Sequence, residues 1–156
     1  MNSLDRLGLA VAPAVEISTA RIRPIILVAD DSADNRDMMR VLLGLKGYDV
    51  LVAENGKEAV HLALTESPDL ILLDLELPLI DGLTVAHDLV SHQKFLKVPI
   101  VVVSGHDPRK YKQAALEAGC SDFLLKPISF ERLDEILQSN VPVPNGNSEV
   151  LLPPNN

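Results

Sequence analysis

The sequence has no tryptophan, only five tyrosines and phenylalanines, and a single cysteine. One cysteine cannot close an internal disulfide or build a cysteine zinc site, and Cys120 is expected to be a small buried hydrophobe. That thiol usage fits a reducing cytosol. Cations are also scarce: 14 Lys and Arg against 22 Asp and Glu give a net charge of -8. So acidic a surface opposes non-specific binding to nucleic acid or to an anionic membrane, and no direct DNA contact is expected. No apolar run is long enough to span a bilayer. Residues 7–15 are mildly apolar, with Ala12-Pro13-Ala14 near their end, but Asp5 beside Arg6 leaves no clear positive segment ahead of them. A secretion signal is therefore not read here.

What remains is ordinary globular composition, with 47% hydrophobic and 23% charged residues in 156 positions, enough for one domain with a core. Apolar β-branched runs alternate with segments of helical periodicity. Ile25-Ile26-Leu27-Val28-Ala29 reads as the first strand, and residues 48–53 as the second. Leu70-Ile71-Leu72-Leu73 is the third, Ile100-Val101-Val102-Val103 the fourth, and residues 122–125 the fifth. Met38, Met39, Val41, Leu42 and Leu45 mark the first helix, with Ser32 or Asp34 as its cap and Gly47 as its stop. Ala59, Val60, Ala63 and Leu64 mark the second, and Leu83, Ala86, Leu89 and Val90 the third. Tyr111, Ala114, Ala115 and Ala118 mark the fourth; Phe130, Leu133, Ile136 and Leu137 the fifth. Five strand–helix repeats with short connections predict an α/β, doubly wound, five-stranded parallel sheet with five helices on its two faces. Residues 1–22 form an N-terminal extension, 23–138 the domain, and 139–156 a Pro/Asn-rich tail without periodicity that reads as disordered.

Strand ends carry the chemistry. In open α/β sheets ligands bind beyond the carboxyl ends of the strands. Here those ends bear Asp30-Asp31, Asp74, Ser104 and Lys126. Carboxylates brought together repel one another unless a cation neutralises them. Lys126 supplies one positive charge, and a hard divalent ion such as Mg²⁺ is the natural second. Asp31 and Asp74 are the candidate ligands, with Asp30 acting directly or through water and a backbone carbonyl of the Leu75-Glu76 loop completing the set. A metal-bound carboxylate beside a Lys and a hydroxyl suits phosphoryl transfer, with Asp74 as the nucleophile that forms an acyl phosphate. A nucleotide-binding enzyme of similar architecture needs a Gly-rich loop after strand one. Asp30-Asp31-Ser32-Ala33-Asp34 stands there instead.

Taken together and in order, Asp30-Asp31 with Asn35-Arg36, Asp74 with Pro78 and Asp81-Gly82, Ser104-Gly105 and Lys126-Pro127 resemble the receiver domain of two-component response regulators, over residues 25–138. The resemblance implies the flavodoxin-like strand order 2-1-3-4-5, the order given for the best-known members of this fold. It implies a sensor histidine kinase or histidine phosphotransfer protein as donor to Asp74, and a downstream effector protein as reader. Lys126 would pair with the phosphoryl group and Ser104 would move to hydrogen-bond it. Phe123 would be the switch aromatic. The Glu76 backbone carbonyl would join the Mg²⁺ ligands, and the Lys126-Pro127 bond would be cis. Glu76 and His106 take positions that tune dephosphorylation in such domains. The expected function is a cytoplasmic phosphoacceptor that signals through the face made by the fourth helix, fifth strand and fifth helix. It would not be an enzyme beyond catalysing its own phosphorylation and dephosphorylation. The alternatives are a scaffold of the same fold that takes no phosphate, or a fragment of a larger regulator.

Overall fold

The computed structural model describes residues 22–143. The N-terminal extension to residue 21 and the tail from residue 144 lie outside the described residues. Five parallel strands, β1 (Ile25–Ala29), β2 (Asp49–Ala53), β3 (Leu70–Asp74), β4 (Ile100–Ser104) and β5 (Asp122–Leu125), form one sheet in the order β2-β1-β3-β4-β5. The helices are α1 (Ala33–Leu45), α2 (Gly56–Glu66), α3 (Gly82–Val90), α4 (Pro108–Glu117) and α5 (Phe130–Asn140). A 3-10 turn at Gln93–Phe95 buries Phe95 before β4 and is not evident in the sequence pattern.

Successive strand side chains point to opposite faces, so a sheet covered on both sides needs continuous apolar strands. Ile26, Val28, Leu70, Leu72, Val101 and Leu124 pack beneath α1 and α5, against Met39, Leu43, Leu133, Ile136 and Leu137. Leu27, Ala29, Ile71, Leu73 and Val102 face α2, α3 and α4, against Ala59, Ala63, Val85, Ala86, Leu89 and Ala115. Alanines on α2 and α4 let those helices sit close to the sheet.

Every helix begins on a side chain that accepts a hydrogen bond from its first turn: Ser32, Asn55, Asp81, Asp107 and Ser129. Such caps each contribute about 1 kcal/mol and fix where the loop ends and the helix starts. The cap of α1 is thus Ser32 and not Asp34. Gly47 ends the first helical unit with φ +100, a region that favours glycine.

Two expectations change. α5 runs to Asn140, past the expected boundary at 138, and Val141 is buried, its carbonyl accepting a hydrogen bond from the Tyr48 hydroxyl at 2.8 Å. The two polar residues before Val141 hide this anchor from a composition-based boundary. Phe130, expected on the inner face of α5, is half exposed. It opens the helix directly after its cap, where the chain has not yet turned onto the sheet.

Candidate functional site

Parallel register sets the strand ends level. Ala29 pairs with Leu73, Asp74 with Val103, and Ser104 with Leu125. The backbone N–H of Lys126 donates to the Ser104 carbonyl at 2.8 Å, and that of Asp30 to the Ala53 carbonyl at 3.0 Å, so the ladder carries on into the loops. The residues at these ends therefore start from one edge.

Asp30, Asp74 and Ser104 are the buried polar residues among those described. The ammonium of Lys126 lies 2.8 Å from Asp74 Oδ2 and 3.1 Å from Asp30 Oδ2, bridging two carboxylates that would otherwise repel. Each carboxylate is also locked by backbone. Asp74 Oδ1 accepts from the Glu76 N–H at 2.9 Å, and Asp30 Oδ1 from the Ser32 N–H at 2.9 Å. Asn35 Nδ2 reaches Asp30 Oδ2 at 3.3 Å, and Arg36 donates to the Asp30 carbonyl at 2.8 Å. These two contacts are the structural role of the Asn35-Arg36 pair. Asp31 is exposed, and one carboxylate oxygen from each of Asp30, Asp31 and Asp74 falls within 4.8 Å of the others.

Burial raises the Asp74 pKa above its ordinary value. The hydrogen bonds from Lys126 and Glu76 oppose that shift, and the charge of Asp30 adds to it. Lys126 also titrates above its ordinary value; its two carboxylate partners outweigh the opposing effect of its own burial. The pair is thus salt-bridged, yet a buried negative charge is still held at some disadvantage. Such a site welcomes a further cation. Three oxygen donors with one side open to solvent match a small hard divalent ion, which keeps several waters. Glycine 82 contributes by shape: a Cβ there would stand 2.1 Å from the Asp74 carbonyl oxygen, so only glycine lets α3 start against the β3 end.

Residues 26–138 match the family model of the response regulator receiver domain. The chain belongs to that family. It is 39% identical over 108 residues to the response regulator MprA of Mycolicibacterium vanbaalenii, covering 69% of this chain and 46% of that protein. The chain thus spans about half the length of such curated relatives. Among solved structures it resembles the chemotaxis response regulator CheY4 of Vibrio cholerae, with TM-score 0.71, 28% identity and coverage of 76% of this chain and 99% of that one. It also resembles the receiver domain of the sensor histidine kinase PA1611 of Pseudomonas aeruginosa, with TM-score 0.70, 29% identity and coverage of 76% and 97%. That domain was crystallised with a magnesium ion coordinated in its active-site cleft.

Around this edge stand the other residues singled out in the sequence. The Lys126-Pro127 bond is cis. Ser104 Oγ is buried at the β4 end and accepts from the His106 N–H at 3.1 Å. Phe123 is half-buried on the α4 side of the sheet, packed with Tyr111 and Ala118 against the core. Glu76 and His106 meet side chain to side chain across the mouth of the site, and the His106 ring lies against Tyr111 with centroids 5.1 Å apart. A cavity of about 630 Å³ opens beside Lys126, lined by Asp30, Asn35, Met38, Met39, Ile128 and Phe130. Beyond it the outer stripe of α1 exposes Met38, Val41 and Leu45. His61, His87 and His92 take no part in any metal-type cluster among the described residues.

Proposed function

We propose that this receiver accepts a phosphoryl group on Asp74 from a phosphohistidine of a sensor kinase or phosphotransfer protein, in the cytoplasm, and passes the signal to a downstream protein without contacting DNA itself. One observation carries the reading: Lys126 holds the buried Asp74 carboxylate at 2.8 Å while Asp30 and Asp31 gather beside it. In the transfer step an Asp74 oxygen attacks phosphorus, the P–N bond breaks, and the donor imidazole leaves with the electron pair and takes a proton from solvent. Mg²⁺ held by Asp31, Asp74 and the Glu76 carbonyl, with Asp30 direct or through water, would neutralise charge on the transferring oxygens. Lys126 then turns from the Asp74 oxygen to the phosphoryl oxygens, charge-assisted contacts that favour the product. The exposed α1 stripe with half-exposed Phe130 supports docking of a protein donor, since neighbouring exposed apolar side chains offer a surface for association.

After transfer, Ser104 Oγ leaves the His106 N–H and donates to a phosphoryl oxygen. The half-buried Phe123 ring moves into the space released, and the α4, β5 and α5 face changes shape. This requires only the small free-energy differences usual for switching elements, about 1–3 kcal/mol. No separate substrate is turned over; the chain catalyses only its own phosphorylation and dephosphorylation.

The test is incubation with acetyl phosphate and Mg²⁺, read by intact mass. The wild type should gain one phosphoryl group and Asp74→Asn none. Undiminished labelling of Asp74→Asn would falsify the assignment, and an unlabelled wild type would favour a scaffold that takes no phosphate.

A further inference from the structure

The exposed stripe of α1 belongs to a longer feature. The cavity beside Lys126 adjoins a second of about 480 Å³, lined by Asp37, Met38, Val41, Leu42, Leu45 and Phe130. The two share Met38 and Phe130, so one largely apolar groove runs from the mouth of the site down α1 to its last turn. The transfer chemistry uses only the upper end. At the lower end the chain itself arrives. Pro142 cannot continue α5, which stops at Asn140. Val141 is buried there, its carbonyl on the Tyr48 hydroxyl. Val143 packs on Gly47, where an added Cβ would stand 3.2 Å from its Cγ1 atom. Gly47 lies two residues past Leu45, the lowest member of the exposed stripe. The path of the described chain after α5 thus leads to the foot of the groove.

We infer that Val150-Leu151-Leu152 of the C-terminal tail folds back along α1 and seats in this groove, a built-in cover over the face that a protein phosphodonor approaches. The contact itself does not depend on the phosphoacceptor reading; its effect on phosphodonors rests on it. These three aliphatic residues stand together in the tail behind the spacer Pro144-Asn145-Gly146-Asn147-Ser148-Glu149. Six extended residues reach about 20 Å, whereas Met38 and Leu45 are about 10 Å apart along a helix. The triplet therefore reaches the whole groove without pulling Val143 off Gly47. Its aliphatic side chains match the Met, Val, Leu and Phe walls, and burying both removes apolar surface from water. A tether so short holds the triplet at about millimolar effective concentration, so a contact too weak for a free peptide suffices. Such a cover is displaceable, as it must be for a donor to reach the site. A small phosphodonor passes it without touching α1.

The experiment uses the full chain with Asn155→Cys carrying a nitroxide. Cys120 needs no replacement, because it is buried and its thiol is pushed up to about 11. In NMR spectra the label should broaden the signals of Met38, Val41, Leu45 and Phe130 beyond those of α3 and α4, which pack on the opposite face of the sheet. Adding Leu151→Asp/Leu152→Asp should abolish that preference. Without the label, the same double variant should take phosphate from the phosphorylated histidine domain of a sensor kinase at least about threefold faster than wild type, as for a cover in place about two-thirds of the time. The kinase is the member of a purified panel that labels the wild type fastest. Acetyl phosphate should label both alike. No preferential broadening, or broadening that survives the double variant, overturns the inference. So does broadening of an isotope-labelled chain by a separate nitroxide-labelled chain, which would assign the groove to a second copy. Stripe signals that ignore the label but shift in Leu4→Asp/Leu7→Asp would assign it to the N-terminal extension instead. Equal kinase rates, or a matching gain with acetyl phosphate, overturn the covering role. If no donor labels the wild type, the phosphoacceptor reading falls, and the broadening still decides the contact.

Discussion

Lys126 is the single cation between two buried carboxylates, so replacing it with methionine has a calculable consequence. Its ammonium lies 2.8 Å from Asp74 and 3.1 Å from Asp30. At an effective dielectric of about 20 each contact is worth roughly 5–6 kcal/mol gross, most of which desolvation takes back. Removing one partner of a buried pair typically destabilises by about 3–5 kcal/mol, because the other charge stays behind. Lys126 is 27% exposed at the side chain and the carboxylates only 9% and 6%, so water screens the lysine end and about 2–3 kcal/mol is expected at pH 7. The sign with pH follows from Asp74. Burial already lifts Asp74 above its ordinary 3.8, and without Lys126 it rises further. A carboxyl whose folded pKa is raised binds a proton on folding, so the variant regains stability as pH falls from neutral toward the unfolded value. The wild-type lysine does not confound this. Its raised pKa keeps its contribution intact until pH climbs above 10.5. Urea unfolding in EDTA should therefore show Lys126→Met well below wild type at pH 7, with the gap narrowing as pH falls toward the ordinary carboxyl value of 3.8. Added Mg²⁺ should narrow the gap at pH 7, since a second cation replaces the first. Equal midpoints at pH 7, or a gap indifferent to both pH and Mg²⁺, would refute the account of Lys126 as the charge that holds the site together.

Three further outcomes are expected. Asp31 is exposed and clustered with like charges, so Asp31→Ala should weaken Mg²⁺ binding in titration calorimetry while the metal-free fold is unchanged or slightly stabilised. Asp81 caps α3 through the Thr84 N–H and hydroxyl, which hold its carboxyl below the usual value; Asp81→Ala should cost about 1 kcal/mol at pH 7 by urea unfolding. That loss should fade as pH drops below 3.8, where the wild-type cap itself becomes protonated. Burial pushes the Cys120 thiol up to about 11, so it should resist a thiol-specific disulfide reagent at pH 8 and react only after unfolding.

The sheet was legible because its signal is redundant. A strand such as Leu70–Asp74, buried at all five positions, can be written only as an apolar run, and the acid that ends it stands out. Parallel order then brings the run ends together whatever the loops do, which is why the sequence alone places Asp30, Asp74, Ser104 and Lys126 at one sheet edge. Helix faces were less legible. α1 is apolar on two sides: Met39 and Leu43 pack inward while Met38, Val41 and Leu45 face out at the same helical spacing. Periodicity measures how residues repeat and not which stripe meets the sheet, so the core stripe and the surface stripe look alike. The conformation of Leu79 was not legible at all, because a leucine carries no signal for positive φ. That turn is imposed from outside the local sequence, by α2 donating Gly56 N–H to Pro78. Backbone conformations imposed by distant parts of the chain are therefore the ones that sequence reading misses. Met38, Val41, Leu45, Phe130 and Leu79 are alike only in exposing apolar side chains. Each exposes apolar surface that the core does not use, on α1, the start of α5 and the loop after β3. Phosphoryl chemistry needs only the strand ends. In the proposed reading, choosing one donor among many needs a surface around them, and these exposed side chains are available for it.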